Sequence, residues 1–197
     1  MSTQALRLGH PRQSLELADA AVSTVRGHGD DATLAFLLSQ RAHSYAAHSQ
    51  PRAALTDLAA AESHHDRATG PAGPFTAYPR AGLDYQAAMT LTALKDLRGA
   101  RTALENSLQL RGPAQRRPLA LTQARLAETC LALGELEAAC VHGHLFLDHY
   151  PALKSAQASE ALARLLQHIA RYPRQPHAQV LHERARGLWR PRRRLPP

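Results

Sequence analysis

Two cysteines and three histidines are concentrated between residues 126 and 151, and these are residue types that bind transition metals or act as nucleophile and base. They are Cys130, Cys140, His142, His144 and His149. On a helix, side chains two positions apart point roughly 160° apart, so His142 and His144 cannot bind one ion. Cys140 and His144, four residues apart, share a helix face and are the one pair with workable spacing. A structural zinc site needs four ligands, so we predict no metal site.

The remaining reactive side chains show no catalytic pattern. The run His64–His65–Asp66 could form an acid–base cluster, but histidines at the end of a helix also interact favourably with its dipole. The sequence contains no HExxH motif, nucleophile elbow or phosphate-binding glycine loop. We therefore expect no catalytic residue, no cofactor and no enzymatic activity.

Composition favours helices, and the excess of basic residues lies at one end of the chain. Alanine and leucine supply most of the apolar content, whereas aromatic residues make up 5% of the 197 residues. The formal net charge of +8 would suit a nucleic-acid binder. However, residues 184–197 contain six arginines and no acid, so the rest of the chain carries only +2. We interpret residues 190–197 as a disordered basic tail, and contact with nucleic acid through this tail is the alternative function.

The chain shows no targeting or membrane signal. Its first residues, MSTQALRLGHPRQ, contain no apolar signal core, and no apolar run approaches the roughly 18 residues of a membrane helix. Two cysteines without an export signal are typical of reduced thiols. We therefore expect a cytoplasmic protein that does not contact membranes.

A repeat of about 40 residues organises the chain. Each copy has a turn, an apolar residue or proline, a small residue three positions later and an apolar residue four beyond that. The copies are residues 8–22, 48–62, 94–108 and 133–147. Their small residues are Ser14, Ala54, Ala100 and Ala139, at spacings of 40, 46 and 39. This period, with a helical hairpin in each unit, is typical of an α-solenoid.

The same pattern predicts an all-α fold of about nine helices in one domain, residues 1–189. The predicted helices span residues 11–26, 32–47, 51–65, 80–94, 97–109, 117–132, 135–149, 153–171 and 176–189. Residues 66–79 contain three prolines and two glycines, so we interpret them as the loop that lengthens one spacing to 46. The last two helices lack the hairpin pattern, and we expect them to cap the array.

These motifs resemble those of tetratricopeptide-repeat (TPR) proteins. Leu126 and Ala127 match the packing position of the first helix, Gly134 matches the turn, Ala139 the small crossing residue and Pro151 the end of the unit. More narrowly, residues 5–189 resemble the C-terminal repeat region of actinomycete transcriptional regulators that begin with a helix-turn-helix domain. The resemblance is carried by RAHSYAAHSQPRAALTDLAAAE, GPFTAYPRAGLDYQAAMTL, RLAETCLALGELEAAC and SAQASEALARLLQHI, in that order.

The resemblance implies a right-handed superhelix and a non-enzymatic, regulatory module that binds a protein or peptide. Two departures qualify it. Ser14 replaces the usual alanine, and we expect the DNA-binding domain of that family to be missing, since no segment precedes the first half-repeat. The chain would then correspond to the sensing or protein-contact half of such a regulator.

The first helix of each hairpin lines the concave surface of such a superhelix, where partners bind. We therefore predict a groove for a peptide, or alternatively a concave surface that these side chains merely cover. The candidates are Gln40, His43, Tyr85, Met89, Arg125 and Glu128, with Phe75 and Tyr78 overhanging from the loop. Only Arg125 could grip a peptide carboxylate, so no carboxylate clamp is predicted.

The first predicted helix has an apolar face without its usual partner helix. This face contains Leu15, Ala18, Val22 and Val25. Because exposed apolar surface is unfavourable, we expect it to be covered by a second copy in a homodimer or by another protein.

Overall fold

The computed structural model describes residues 2–27, 30–68 and 78–189, and in these residues the regular structure is entirely helical. The helices are α1 (Ser2–Arg7), α2 (Pro11–Val25), α3 (Asp31–Ala47), α4 (Pro51–Arg67), α5 (Arg80–Ala93), α6 (Leu97–Gln109), α7 (Arg116–Leu133), α8 (Leu136–His149), α9 (Ala156–Ile169) and α10 (Pro176–Leu188). One 3-10 turn, Tyr150–Ala152, separates α8 from α9. All nine predicted helices are present, with boundaries within three residues of the predicted ones.

One part of the prediction is wrong: α2 does not lack a partner helix. The short helix α1, which precedes α2 in the sequence, packs against it, and so does α3, which follows it. As a result, Ala18 and Val22 of the supposedly uncovered face are buried within the chain itself. A helix of six residues is too short to show a periodic pattern in the sequence. Such a helix is stable only when it packs against other helices, as α1 does through the buried Ala5.

The helices form consecutive hairpins in two compact units. Unit 1, Met1–Leu110, contains the hairpins α1–α2, α3–α4 and α5–α6, and α3 packs against α5. Unit 2, Arg111–Pro197, contains α7–α8 and α9–α10, with α7 against α9 and α8 against α10. The single domain of residues 1–189 therefore remains a prediction, and residues 190–197 lie outside the described part of the chain.

The small residues of the repeat lie in the interior of the helical array. All four, Ser14, Ala54, Ala100 and Ala139, are completely buried. Ser14 hydrogen-bonds through its hydroxyl to the buried Ser44 hydroxyl of α3 at 2.8 Å, and so this departure from alanine satisfies a partner across the interface. Ala178 of α10 is also buried, 39 residues after Ala139.

The last two helices therefore continue the hairpin array, which corrects the expectation that they lack the hairpin pattern. In α10 the small residue stands two positions after the first helical residue, Pro176, whereas in α2 it stands three positions after Pro11. This shift hid the fifth repeat in the sequence. Prolines at the first helical position cost no hydrogen bond, which is why they recur at the start of these helices.

Unit 2 has one large cluster of buried apolar side chains, whereas the cluster in unit 1 is smaller. In unit 2 the fully buried side chains include Phe146, Leu147, Leu162 and Leu165. Gly143 lets α8 and α10 approach closely, because a Cβ there would lie 2.6 Å from Leu181 Cδ2. In unit 1 the central cluster comprises Val22, Leu38, Ala61 and Leu83.

Candidate functional site

Four predicted contact residues lie on two adjacent helices of unit 1. Gln40 and His43 are on α3, and Tyr85 and Met89 are on α5; each is partly exposed. Helical phase places Phe36, whose exposed fraction is 43%, in line with Gln40 and His43. We call Phe36, Gln40, His43, Tyr85 and Met89 the α3–α5 face.

Tyr78 lies against both helices, α3 and α5, at one end of this face. Its ring packs edge-on against Phe36 with centroids 5.3 Å apart, and its hydroxyl hydrogen-bonds to the Ser39 hydroxyl at 3.0 Å. On the α5 side, a Cβ at Gly82 would lie only 3.1 Å from Tyr78 Cε2. Gly82 is three residues before Tyr85, on the same stripe of α5.

Tyr78 was expected to overhang a groove, but it is packed between α3 and α5. It therefore fixes the edge of the α3–α5 face rather than reaching over it. The second loop candidate, Phe75, lies outside the described residues, as do all of residues 69–77. Sequence reasoning missed Phe36, although its place seven residues before His43 was a signal that could have found it.

An ion cluster on the other side of α3 joins three helices. Arg41 binds Asp57 of α4 in a bidentate manner, with Nε to Oδ2 at 2.6 Å and Nη2 to Oδ1 at 2.9 Å. Its Nη1 also donates to Asp19 of α2 at 3.2 Å. The side chains of Arg41 and Asp57 are only 13% and 9% exposed. The hydrogen bonds to Asp57 raise the pKa of Arg41 above its ordinary value, so the guanidinium stays charged.

Tyr45 completes this cluster. The Arg41 guanidinium carbon lies 5.5 Å from the centre of the Tyr45 ring, and the Tyr45 hydroxyl donates to Asp19 at 3.3 Å. Burial raises the pKa of Tyr45, so its phenol remains a neutral donor. The cluster holds α2, α3 and α4 together behind the α3–α5 face, and no sequence motif indicated it.

The other two predicted contact residues, Arg125 and Glu128, lie on α7 in unit 2. Arg125 donates to Glu128 at 2.7 Å, and Arg164 of α9 donates to the second carboxylate oxygen at 2.8 Å. The Glu128 side chain is only 12% exposed, and its bond to Arg164 joins α7 to α9. These two residues belong to unit 2 and are not part of the α3–α5 face.

The cysteines and histidines that first suggested chemistry are packed among other partners. Cys130 and Cys140 are buried thiols that form no disulfide with each other, and burial raises the pKa of Cys140. Nδ1 of His144 lies 3.2 Å from Nη1 of Arg184, and burial, with this guanidinium, lowers the pKa of His144. His142 Nδ1 lies 2.7 Å from Gln123 Oε1. Across residues 2–27, 30–68 and 78–189, no group of three or more His, Cys, Asp or Glu side chains could hold a metal ion.

The histidine pair at positions 64 and 65 lies in the last turns of α4, as the helix-end interpretation expected. His64 Nδ1 contacts Asp31 Oδ1 at 2.5 Å, and Arg67 reaches the same carboxylate at 3.5 Å. The hydrogen bond from His64 lowers the pKa of Asp31. These contacts join the end of α4 to the start of α3.

In the part of the chain that is described, no helix is both long and apolar enough to cross a membrane.

Comparison with known proteins identifies the fold. No protein family and no curated protein matches the sequence. Solved structures do match, among them the crystal structure of a putative kinesin light chain of Podosopora anserina with nearly identical TPR-like repeats, and that of a point variant of the same protein. Each is 16% identical and aligns over 95% of this chain and 90% of its own, with TM-scores of 0.65 and 0.64. The chain thus has the all-α fold of TPR-like repeat proteins, an α-solenoid of helical hairpins.

Proposed function

We propose that the chain is a non-enzymatic binding module whose α3–α5 face holds a peptide or protein segment. The observation that supports this proposal is the composition of the face: exposed Phe36 with Gln40 and His43 on α3, and Tyr85 with Met89 on the adjacent α5, where the Arg41 cluster supports α3 from behind. Aromatic anchors supply most of the energy of such contacts, and methionine adapts to different partners. A rigid support limits the entropy lost on binding.

The proposed role is regulatory and cytoplasmic. It rests on the resemblance of residues 5–189 to the repeat region of helix-turn-helix regulators, and on the lack of a catalytic motif in the sequence. A segment bound across α3 and α5 would favour one packing of these helices over another, which is how a binding module passes on a signal.

A displayed peptide library tests this function. We expect selection on the purified chain to give peptides whose Kd is below about 100 μM. Phe36→Ala and Tyr85→Ala should each weaken binding about tenfold, since a buried aromatic anchor contributes more than 1 kcal/mol. Leu55→Ala is the matched control, because Leu55 is 51% exposed on α4 and outside the face. Failure to select any peptide would contradict the function, and equal losses in all three variants would contradict the site.

A homodimer through α2 has less apolar surface available than the sequence suggested, but Leu17 on this helix is exposed. Light scattering on a dilute sample measures the mass of the particle directly, and the mass of a monomer would exclude the dimer.

For the alternative function, deletion of residues 190–197 should abolish retention of the protein on immobilised DNA at low salt. Unchanged retention would show that the tail does not cause it.

A further inference from the structure

A groove runs along α3 between α2 and α4 in unit 1. Its volume is about 530 Å³, within the range of small-molecule pockets. It is lined by Val22, Arg26, Gly27, Leu34, Leu38, Arg41, Thr56, Asp57, Ala60 and His64. From Leu34 to Arg41 it follows two turns of α3, a length of roughly 10 Å.

This α2–α4 groove is separate from the α3–α5 face. On α3, Leu38 and Arg41 line the groove, whereas Gln40 and His43 belong to the α3–α5 face. Each groove residue precedes a face residue by two positions, so the two side chains point roughly 160° apart around the helix. No residue belongs to both surfaces. A ligand in the groove would therefore leave the α3–α5 face accessible.

The floor of the α2–α4 groove is apolar and unfilled. Val22 and Leu38 form its base, while Leu34 and Ala60 are only partly covered. In unit 2 the corresponding helices, α8 and α10, close on each other through Gly143. A groove left open over apolar side chains forfeits contact and transfer energy that an apolar ligand can recover.

Among the described residues, the charges around the groove leave one lining cation, Arg26, without a partner. The Arg41 guanidinium is engaged by Asp57 and Asp19, and His64 is engaged by Asp31. Arg26 follows the last residue of α2 and lines the mouth, and in the described part of the chain its guanidinium has no hydrogen bond or ion pair. An apolar floor with a free guanidinium at its mouth is complementary to an aliphatic chain that ends in a carboxylate.

We propose that the α2–α4 groove binds a small aliphatic monocarboxylic acid. The chain of the acid lies on Leu34, Leu38 and Ala60, and its carboxylate pairs with Arg26. Because the groove spans about two helical turns, an acid of the size of octanoate fits it. The charged end of Arg41 is already neutralised, and therefore recognition of the carboxylate depends on Arg26.

Amide chemical shifts of the full chain during titration with octanoate test the proposal. We expect saturable shifts at the lining residues and a Kd in the micromolar to low millimolar range. Neutral octanamide should bind about fivefold more weakly, as for the loss of a partly exposed ion pair. Arg26→Gln should remove this difference, whereas Arg12→Gln, an exposed arginine of α2 outside the groove, should preserve it.

A second pair of variants separates loss of the groove from loss of the fold. Ala60→Phe fills the groove and should abolish the octanoate shifts without lowering Tm by more than a few degrees. Ala59→Phe adds the same side chain at the neighbouring exposed position and should leave them unchanged. If Ala60→Phe unfolds the chain, the octanamide comparison and Arg26→Gln still decide the matter.

Four results would overturn the proposal. The first two are the absence of saturable shifts up to about 5 mM octanoate and shifts that are spread over both units. The third is equal affinity of the chain for octanoate and octanamide. The fourth is a dimer in light scattering whose groove residues are protected from hydrogen exchange, because a second copy would then already cover the groove. A library-selected peptide that shifts the lining residues would assign the groove to a peptide instead. Because the α3–α5 face shares no lining residue, its peptide binding succeeds or fails independently.

Discussion

At the scale of single residues, one backbone position recurs in the first four hairpins. Gly9, Ser49, Lys95 and Gly134 each lie five residues before the small crossing residue of their repeat, and each has a positive φ between 59° and 81°. The left-handed conformation suits glycine, but it places the Cβ of other residues close to a carbonyl oxygen. Two of the four turns therefore carry backbone strain that the other two avoid.

Replacing the strained residues by glycine should stabilise the protein. We expect Ser49→Gly and Lys95→Gly each to raise the free energy of unfolding by about 0.5–1 kcal/mol. Relief of the backbone strain stabilises the folded state, and the greater entropy of glycine in the unfolded chain offsets part of this gain. Gly134→Ala is the control and should lower it by about 1 kcal/mol. Urea denaturation measures all three, and a loss of stability in both glycine variants would contradict the common turn geometry.

The two thiols should react slowly in the native protein. Cys130 and Cys140 are 1% and 4% exposed, and burial raises the pKa of Cys140, which lowers its thiolate fraction at neutral pH. We expect a thiol reagent such as Ellman's reagent to modify both cysteines at the rate of local opening, and at once in guanidinium chloride. Native-state modification as fast as that of a free thiol would show that α7 and α8 do not pack as described.

At the scale of elements, α3 and α4 of unit 1 are joined by a largely buried ion pair as well as by apolar packing. The Arg41–Asp57 pair is largely removed from water, so removing one partner leaves a buried charge uncompensated. By contrast, Arg101 and Glu105 form an i, i+4 pair on α6 whose side chains are 39% and 41% exposed. These two pairs allow a comparison of buried and exposed ion pairs within one unit.

Breaking the buried pair should cost far more than breaking the exposed one. We expect Asp57→Ala to lower the free energy of unfolding by about 3 kcal/mol, because Arg41 loses its bidentate partner. Glu105→Ala should change it by less than about 1 kcal/mol. Thermal and urea unfolding measure both, and similar costs for the two variants would contradict the burial of the Arg41 cluster.

The contact between α8 and α10 should respond to pH through His144. Burial, with the nearby Arg184, lowers the pKa of His144 in the folded state. A group whose folded pKa is depressed contributes stability that is present above its unfolded pKa, near 6.5, and is lost as pH falls through the folded pKa. His144→Gln should therefore show a smaller fall in unfolding free energy between pH 7 and pH 5 than the wild type. An unchanged pH dependence would exclude this contribution.

At the scale of the whole molecule, periodicity and small residues were enough to predict the architecture. Ser14, Ala54, Ala100 and Ala139 located the four hairpin crossings because helix packing admits only small side chains there. The pattern missed α1, which is too short to be periodic, and the fifth crossing at Ala178, which is shifted by one position. Crossings are local in sequence, so they could be predicted.

The candidate site could be predicted only in part, because it depends on contacts between distant residues. Helical phase selected Gln40, His43, Tyr85 and Met89 correctly as partly exposed positions of α3 and α5. The bond from Tyr78 to Ser39 joins residues 39 apart, and the Arg41 cluster joins three helices. Neither has a periodic signature, and the groove between α2 and α4 depends on helix separations that periodicity does not encode.

Mapping a library-selected peptide by amide chemical shifts tests most directly whether the α3–α5 face binds a peptide segment. We expect the largest shifts at residues 36, 40 and 43 of α3 and between residues 82 and 89 of α5, whereas the α2 and α4 residues that line the α2–α4 groove, and all of α8, should be unaffected. Saturation should yield the Kd measured by calorimetry. Shifts centred on any other surface, or absent at both stretches, would contradict the account.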